Sequence, residues 1–194
     1  MIVYRHRVNT VAELDAVPQA MGIELDLRSS GDRVIVTHDP FTEGPTIEEY
    51  FPHIGRRPCI FNVKCEGIEP RVRELAAASG VEDYFMLDLS VPAAVKLARL
   101  GETRMAVRYS ELEPAAGALA WKGRASWLWV DCFDHFPVDE PSWSELAAAF
   151  RICLVSPELQ GHTGAAWTRL RESLSGRRFD AVCTKTPDRW VSAP

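Results

Sequence analysis

The chain has 194 residues, 46% hydrophobic and 25% charged, enough to close one sizeable core, so a single domain over residues 1–194 is expected. Its 22 Lys and Arg stand against 27 Asp and Glu, a net charge of -5. With no basic run longer than Arg177-Arg178, that balance argues against a nucleic-acid groove.

The opening run "MIVYRHRVNT" is strand-like and charged by its fifth residue, unlike a secretory leader, and no apolar run approaches the ~20 residues of a membrane helix. Five cysteines, Cys59, Cys65, Cys132, Cys153 and Cys183, are odd in number and never spaced C-x-x-C. They suit a reducing compartment better than a disulfide frame or a zinc site. A cytoplasmic protein with a small-molecule partner is the expectation.

Short β-branched or aromatic runs recur in chain order at 2–6, 22–27, 59–64, 84–89, 103–108, 126–131, 151–156 and 179–184. Between them lie segments of helical periodicity, from "TVAELDAVPQAM" to "AAWTRLRESLSG". Thr10 with Glu13, Thr46 with Glu49, and Ser90 are predicted N-caps; Gly80, Gly101 and Gly176 are predicted helix stops. Eight strand-then-helix units read as a compact α/β fold, the (β/α)8 TIM barrel. The segment "DRVIVTHDP" is an extension after the second strand. The chain is short for such a barrel, which typically has ~250 residues, and a doubly wound open sheet is the alternative. Its first turn, "RHRVNT", lacks the glycines that a nucleotide-binding version would need.

A barrel builds its site at the C-terminal strand ends. Here those ends carry His6-Arg7, Glu24 and Asp26, Asn62 and Lys64, Asp88, Arg108, Asp131, Ser156 with Glu158, and Thr184-Lys185. Asp88, Asp131 or Thr184 taken singly could be an ordinary polar strand end. Glu24 and Asp26 say more, because strand side chains alternate and Leu25 and Leu27 claim the helix-covered face. Both acids therefore face the barrel mouth. Two carboxylates in a partly dry site need a proton, a cation between them, or an internal salt bridge to Arg7 or Lys64. Oxygen donors favour a hard ion, Mg²⁺ or Ca²⁺. Asn62 and Lys64 repeat the i, i+2 spacing; an amide oxygen can ligate such an ion and an ammonium can hold a phosphate. His6 and His38 flank the acids and suit proton transfer near neutral pH. His53, His135 and His162 lie in loop or helix-edge contexts. The six tryptophans are expected to fill core.

His6-Arg7, Asn9-Thr10, Glu24-x-Asp26, His38-Asp39, "NVK" at 62–64 and "DAVCTKTPD" at 180–188 together resemble the glycerophosphodiester phosphodiesterases, in matching order. The resemblance implies a divalent-metal-dependent phosphodiester hydrolase, with a small or lipid-derived substrate. It makes Glu24 and Asp26 metal ligands, His6 and His38 the general base and acid, and Arg7 and Lys64 phosphate-binding residues; Arg108 and Lys185 are further basic candidates. Three departures accompany it. Asn62 stands where the family usually has a glutamate, leaving Glu158 or Asp131 to complete the metal shell; the loop between Arg7 and Asn9 is one residue; and the stretch from His38 to Asn62 is short. Two other readings remain at this point: a barrel that binds a phosphorylated or anionic ligand without hydrolysing it, and an aldolase-like enzyme using Lys64 or Lys185 as a Schiff-base amine.

Overall fold

The computed structural model describes residues 1–137 and 139–191. Strands β1 (Ile2–Arg5), β2 (Gly22–Ser30), β4 (Cys59–Val63), β5 (Tyr84–Leu87), β6 (Ala106–Tyr109), β7 (Trp127–Val130), β8 (Arg151–Val155) and β9 (Ala181–Thr184) form at the eight predicted runs, β2 extending past its run to Ser30 and β6 to Tyr109. They pair in parallel in the order β5-β4-β2-β1-β9-β8-β7-β6, and a bridge between Met86 and Met105 brings β5 to β6 and closes the ring. The eight-stranded (β/α)8 barrel is thus formed, and the open sheet is excluded.

Helices α1 (Val11–Ala16), α2 (Ile47–Tyr50), α3 (Glu69–Ala78), α4 (Val91–Arg99), α5 (Ala115–Leu119), α6 (Glu140–Ala149), α7 (Gly164–Ser173) and α8 (Asp188–Val191) follow the barrel strands in turn. The short length is met by trimming: α2 has four residues and α5 has five. Thr10–Glu13 and Thr46–Glu49 form reciprocal capping boxes, and the Ser90 hydroxyl accepts from the Ala93 N–H. Gly80, Gly101 and Gly176 each take a positive φ, the left-handed turn that glycine adopts without a steric penalty. No described helix is long and apolar enough to cross a membrane.

The alternation along each strand sorts the core into two layers. Ile23, Leu25, Leu27, Phe61, Leu128 and Val182 pack outward under the helices. Tyr4, Ile60, Phe85, Trp127, Trp129 and Cys153 fill the barrel interior. Phe85 stacks on Trp127 with ring centroids 4.6 Å apart, and Tyr4 meets Phe85 edge-on at 6.0 Å. Such rings fit because their neighbours around the ring are small, among them Gly22, Ala106 and Ala181. A Cβ at Gly22 would sit 2.4 Å from the Tyr4 ring. Five of the six tryptophans are buried, as expected of core. All five cysteines are free, and burial pushes the Cys153 and Cys183 thiols well up, which leaves them inert.

The extension after the second strand is β3 (Arg33–Val36), antiparallel to the overhanging half of β2 through the pairs Leu27–Val36 to Ser30–Arg33. Gly31, at φ 62°, makes the turn. The hairpin doubles back on the barrel, and the Thr37 N–H bonds the Asp26 carbonyl at 3.0 Å, which returns His38 to the mouth.

Two predictions follow from this packing. Gly22→Ala is expected to cost about 1–3 kcal/mol of unfolding free energy by denaturant titration, and combining it with Tyr4→Leu to cost less than the two single changes summed. On the outer wall, the buried Glu102 meets Arg104 at 2.7 Å and Arg73 at 2.9 Å. Burial opposes ionisation there, but the hydrogen bonds and charges of Arg104 and Arg73 prevail and hold the carboxyl down at about 2. Its contribution to stability is therefore complete above the unfolded value of about 4.3 and is lost as pH falls towards 2. Glu102→Gln should flatten the stability curve in that acid window and leave its shape above pH 5 unchanged.

Candidate active site

Glu24 and Asp26 project from β2 into the mouth, fully buried, with Leu25 and Leu27 on the opposite face. Their partners come from every neighbouring segment. Glu24 Oε2 accepts the Arg7 backbone N–H at 2.7 Å, and its Oε1 accepts from Asn62 Nδ2 at 2.9 Å. Arg7 reaches that geometry by adopting φ 54°, a left-handed conformation costly for a non-glycine residue. Asn9 mimics a strand partner for Asp26, donating to Oδ2 at 2.8 Å while accepting the Asp26 N–H at 2.9 Å. Lys64 Nζ stands 3.5 Å from Asp26 Oδ1 and 3.2 Å from Asp88 Oδ2. Burial first, then the neighbouring Asp26 charge, raises the Glu24 carboxyl above its ordinary range.

His6 lies beside the pair, its Nε2 3.9 Å from Glu24 Oε2. Burial, reinforced by Arg7, Lys185 and Lys64, pushes its pKa down to about 3, so the imidazole is neutral at physiological pH. His38 arrives from the hairpin. Asp39 Oδ1 is 2.7 Å from its Nδ1, and an Arg7 guanidinium nitrogen is 2.6 Å from its Nε2. A guanidinium only donates, so His38 carries its proton on Nδ1 towards Asp39 in this arrangement. Arg7 thus bridges the two histidines: its backbone serves the acid that His6 faces, and its side chain holds His38.

Three buried polar atoms here have no hydrogen-bond partner: Asp26 Oδ1, Asn62 Oδ1 and His6 Nδ1. Asp26 and Asn62 are register partners on β2 and β4, so their unpaired oxygens sit on adjacent strands of the same mouth. Among the described residues, no three Asp, Glu, His or Cys side chains converge as a ready metal-ligand set. The third oxygen donor available beside the two carboxylates is the Asn62 amide. Two carboxylates and an amide oxygen, two of the oxygens unsatisfied, fit a hard cation better than a soft one.

The structure separates the remaining candidates. Glu158 has its carboxylate engaged elsewhere: it accepts from the hydroxyls of Ser156 and Thr184 and from the Lys185 N–H at 3.1 Å. Trp190 Nε1 completes that chain by donating to Ser156 Oγ at 2.8 Å. Burial works against ionisation of Glu158, yet these donors hold it below the usual carboxylate range. It fastens the end of β9, and hence Lys185, in place of the metal-shell position the sequence suggested. Asp131, the other candidate for that position, is taken by Arg108 at 3.0 Å and Gln160 at 2.7 Å. Arg108 also meets Asp88 at 2.7 Å and Glu113 at 3.3 Å, so three carboxylates surround this expected phosphate ligand. Lys185 is exposed near His6 and Arg7, and the three line one cavity.

Two functional side chains escaped the sequence reading. Arg28 ties His38 O at 2.9 Å and Lys64 O at 3.3 Å, stapling the hairpin to β4. Its signal was the continued i, i+2 series Glu24, Asp26, Arg28. Asp39 was visible only as part of the His-Asp pair, without its role as the partner of His38 Nδ1.

An eight-stranded parallel barrel with its polar side chains gathered at the C-terminal strand ends defines a (β/α)8 protein with its site in the usual place. Within that class the chain superposes end to end on a glycerophosphodiester phosphodiesterase from Agrobacterium tumefaciens str. C58, with a TM-score of 0.73, 19% identity, and coverage of 99% of this chain and 100% of that one. A glycerophosphoryl diester phosphodiesterase from Parabacteroides distasonis ATCC 8503 matches with a TM-score of 0.66 and 9% identity over 100% of this chain and 87% of that one. At such identities the likeness is one of fold. No family model and no curated protein matches the sequence.

If Glu158 serves the strand end and not a metal, Glu158→Ala should cost about 1–3 kcal/mol of stability in urea by orphaning its buried donors, while Glu158→Gln should leave divalent-cation affinity within twofold by calorimetry. A tenfold loss of affinity would restore the ligand role.

Proposed function

We propose that the protein hydrolyses a phosphodiester, with His6 as general base and His38 as general acid, aided by a divalent cation, Mg²⁺ or Ca²⁺. The observation that carries this reading is the pairing of two histidines through Arg7 directly beside two buried carboxylates, with Asp26 Oδ1 and the neighbouring Asn62 Oδ1 lacking hydrogen bonds. The fold shared with glycerophosphodiester phosphodiesterases supports it.

In this scheme Glu24, Asp26 and the Asn62 amide oxygen would hold the cation, which would supply Lewis-acid neutralisation of the phosphate charge. Neutral His6 takes the proton from a hydroxyl next to the ester on the substrate itself. That oxygen bonds to phosphorus, the P–O bond to the leaving alcohol breaks, and His38 supplies the proton to the departing alkoxide. A cyclic phosphate and a free alcohol result, and water then opens the ring. For His38 to act, the Arg7 guanidinium must leave its Nε2, drawn by an anionic phosphate shared with Lys185, and the freed Nε2 must take up a proton from solvent, giving an imidazolium held by Asp39 that then protonates the alkoxide. Lys64, already between Asp26 and Asp88, orients the acid pair and adds positive charge. The free thiols support a cytoplasmic location.

One observation favours the non-hydrolytic alternative. Asn62 Nδ2 already donates to Glu24 and Lys64 already faces Asp26, so part of the acids' charge is met by the protein itself. The two readings separate experimentally. Hydrolysis predicts turnover of a glycerophosphodiester panel with Mg²⁺ or Ca²⁺, reduced at least about 100-fold in His6→Ala and in His38→Ala. It also predicts cation binding that Glu24→Gln weakens tenfold or more. Phosphate binding without turnover in the unaltered protein, together with no measurable cation affinity, would establish the alternative.

A further inference from the structure

The residues assigned above to the phosphate do not stand over a closed mouth. They open onto a cleft between α1 and the start of α8, with a volume of about 670 Å³, within the ~300–1,000 Å³ typical of small-molecule sites. His6 lines this cleft directly. Asp188, which opens α8, and the preceding Pro187 form one wall of it, and α1 with Val17–Met21 forms the other.

Its two ends differ in chemistry. At the end near His6 are Arg5, Arg7 and Lys185. Arg5 donates to the Lys185 carbonyl and Arg7 to His38, while the Lys185 ammonium makes no ion pair among the described residues. The other end is formed by Ala16, Val17, Pro18 and Met21, where α1 runs out towards β2, and carries no charged side chain. Of the two acids that line the cleft, Glu13 is consumed in its capping box, accepting from the backbone of Asn9 and Thr10 at 3.0 Å. Asp188 opens α8 on the opposite wall. The six residues of α1 span about 9 Å, about the length of a phosphate and a glycerol unit, and Val17, Pro18 and Met21 lie past its end. A polar alcohol would leave this wall uncovered by any complementary group.

We infer that the cleft is the seat of an elongated apolar group on one of the alcohols of the phosphodiester, an alkyl or acyl chain, which lies along Ala16–Met21 while the phosphate meets Arg7 and Lys185. This deepens the hydrolase reading and rests on it for the placement of the phosphate. The protein then discriminates substrates by the tail more than by the polar head.

Binding and turnover test the inference separately. Methyl alkyl phosphodiesters carrying alkyl chains of two to ten carbons have no neighbouring hydroxyl to cyclise, so they report binding alone. By calorimetry their affinity should rise about two- to fourfold per methylene until the cleft is filled. Ala16→Glu alters an exposed helix-end position and should not impair folding. It should cut the ratio of long-chain to short-chain affinity at least tenfold, and Met21→Glu should act in the same direction. Affinity independent of chain length, or a ratio unmoved by both variants, overturns the inference. Chain-dependent binding with no turnover of the matching glycerol esters would sustain the cleft and defeat the hydrolase reading. Turnover of those esters without chain dependence would do the reverse.

Discussion

The constraint on which this molecule turns is the burial of two carboxylates on one strand. Glu24 and Asp26, an i, i+2 pair roughly 6–7 Å apart along β2, repel by about 2–3 kcal/mol at an effective dielectric near 20 if both are charged. Each also loses its hydration. The surrounding chain answers with the Arg7 N–H, two asparagine amides and the Lys64 ammonium, drawn from β1, its loop and β4. Much of the local geometry follows from that demand, including the strained Arg7 backbone and the register that sets Asn62 opposite Asp26. The balance is incomplete: oxygens of Asp26 and Asn62 are left without hydrogen bonds, and Asp26 Oδ1 has only the Lys64 ammonium at 3.5 Å, whereas buried polar atoms are ordinarily hydrogen-bonded.

How much of this could be read from the chain alone depends on distance along it. The eight barrel strands, the capping boxes at Thr10 and Thr46 and the glycine stops rest on neighbours three or four residues apart, and all were legible. So was the facing of Glu24 and Asp26, because two leucines occupy the alternate positions. The role of "DRVIVTHDP" was legible as an extension, while its antiparallel return, which delivers His38, needed the hairpin register. Charged side chains were the least readable. Arg108 and Glu158 sit at strand ends as expected, but their partners Asp88, Asp131, Thr184 and Lys185 lie 20 to 27 residues away in sequence, and those partners absorb the charge that strand-end position alone leaves free. Length misled for a physical reason as well: a barrel needs its ring of strands, and a helix outside it can shrink to a turn, as α2 does, where a layer of large rings already fills the interior.

The two halves of the mouth are differently provisioned. Around β1, β2 and β4 lie the histidines, the acids and the unsatisfied oxygens. Around β6 and β7, Arg108 is enclosed by Asp88, Asp131 and Glu113, with net negative charge and no free donor of comparable strength. An anion approaching the barrel would be drawn to the first side and repelled from the second. Orientation of any anion at the mouth is thereby set before it makes contact with the histidines.

The ring itself is unevenly fastened. Elsewhere its strands share ladders of two to five residue pairs, but β5 and β6 meet through the single Met86–Met105 bridge. At the mouth, what spans that gap is the contact of Asp88, just after β5, with Arg108 on β6, both about 30% exposed. Backbone hydrogen bonds are nearly indifferent to ionic strength, whereas partly exposed ion pairs are screened by it. Dissolved salt therefore acts on this barrel as a hand on a clasp, loosening one seam far from the histidines and leaving the acid-bearing strands zipped.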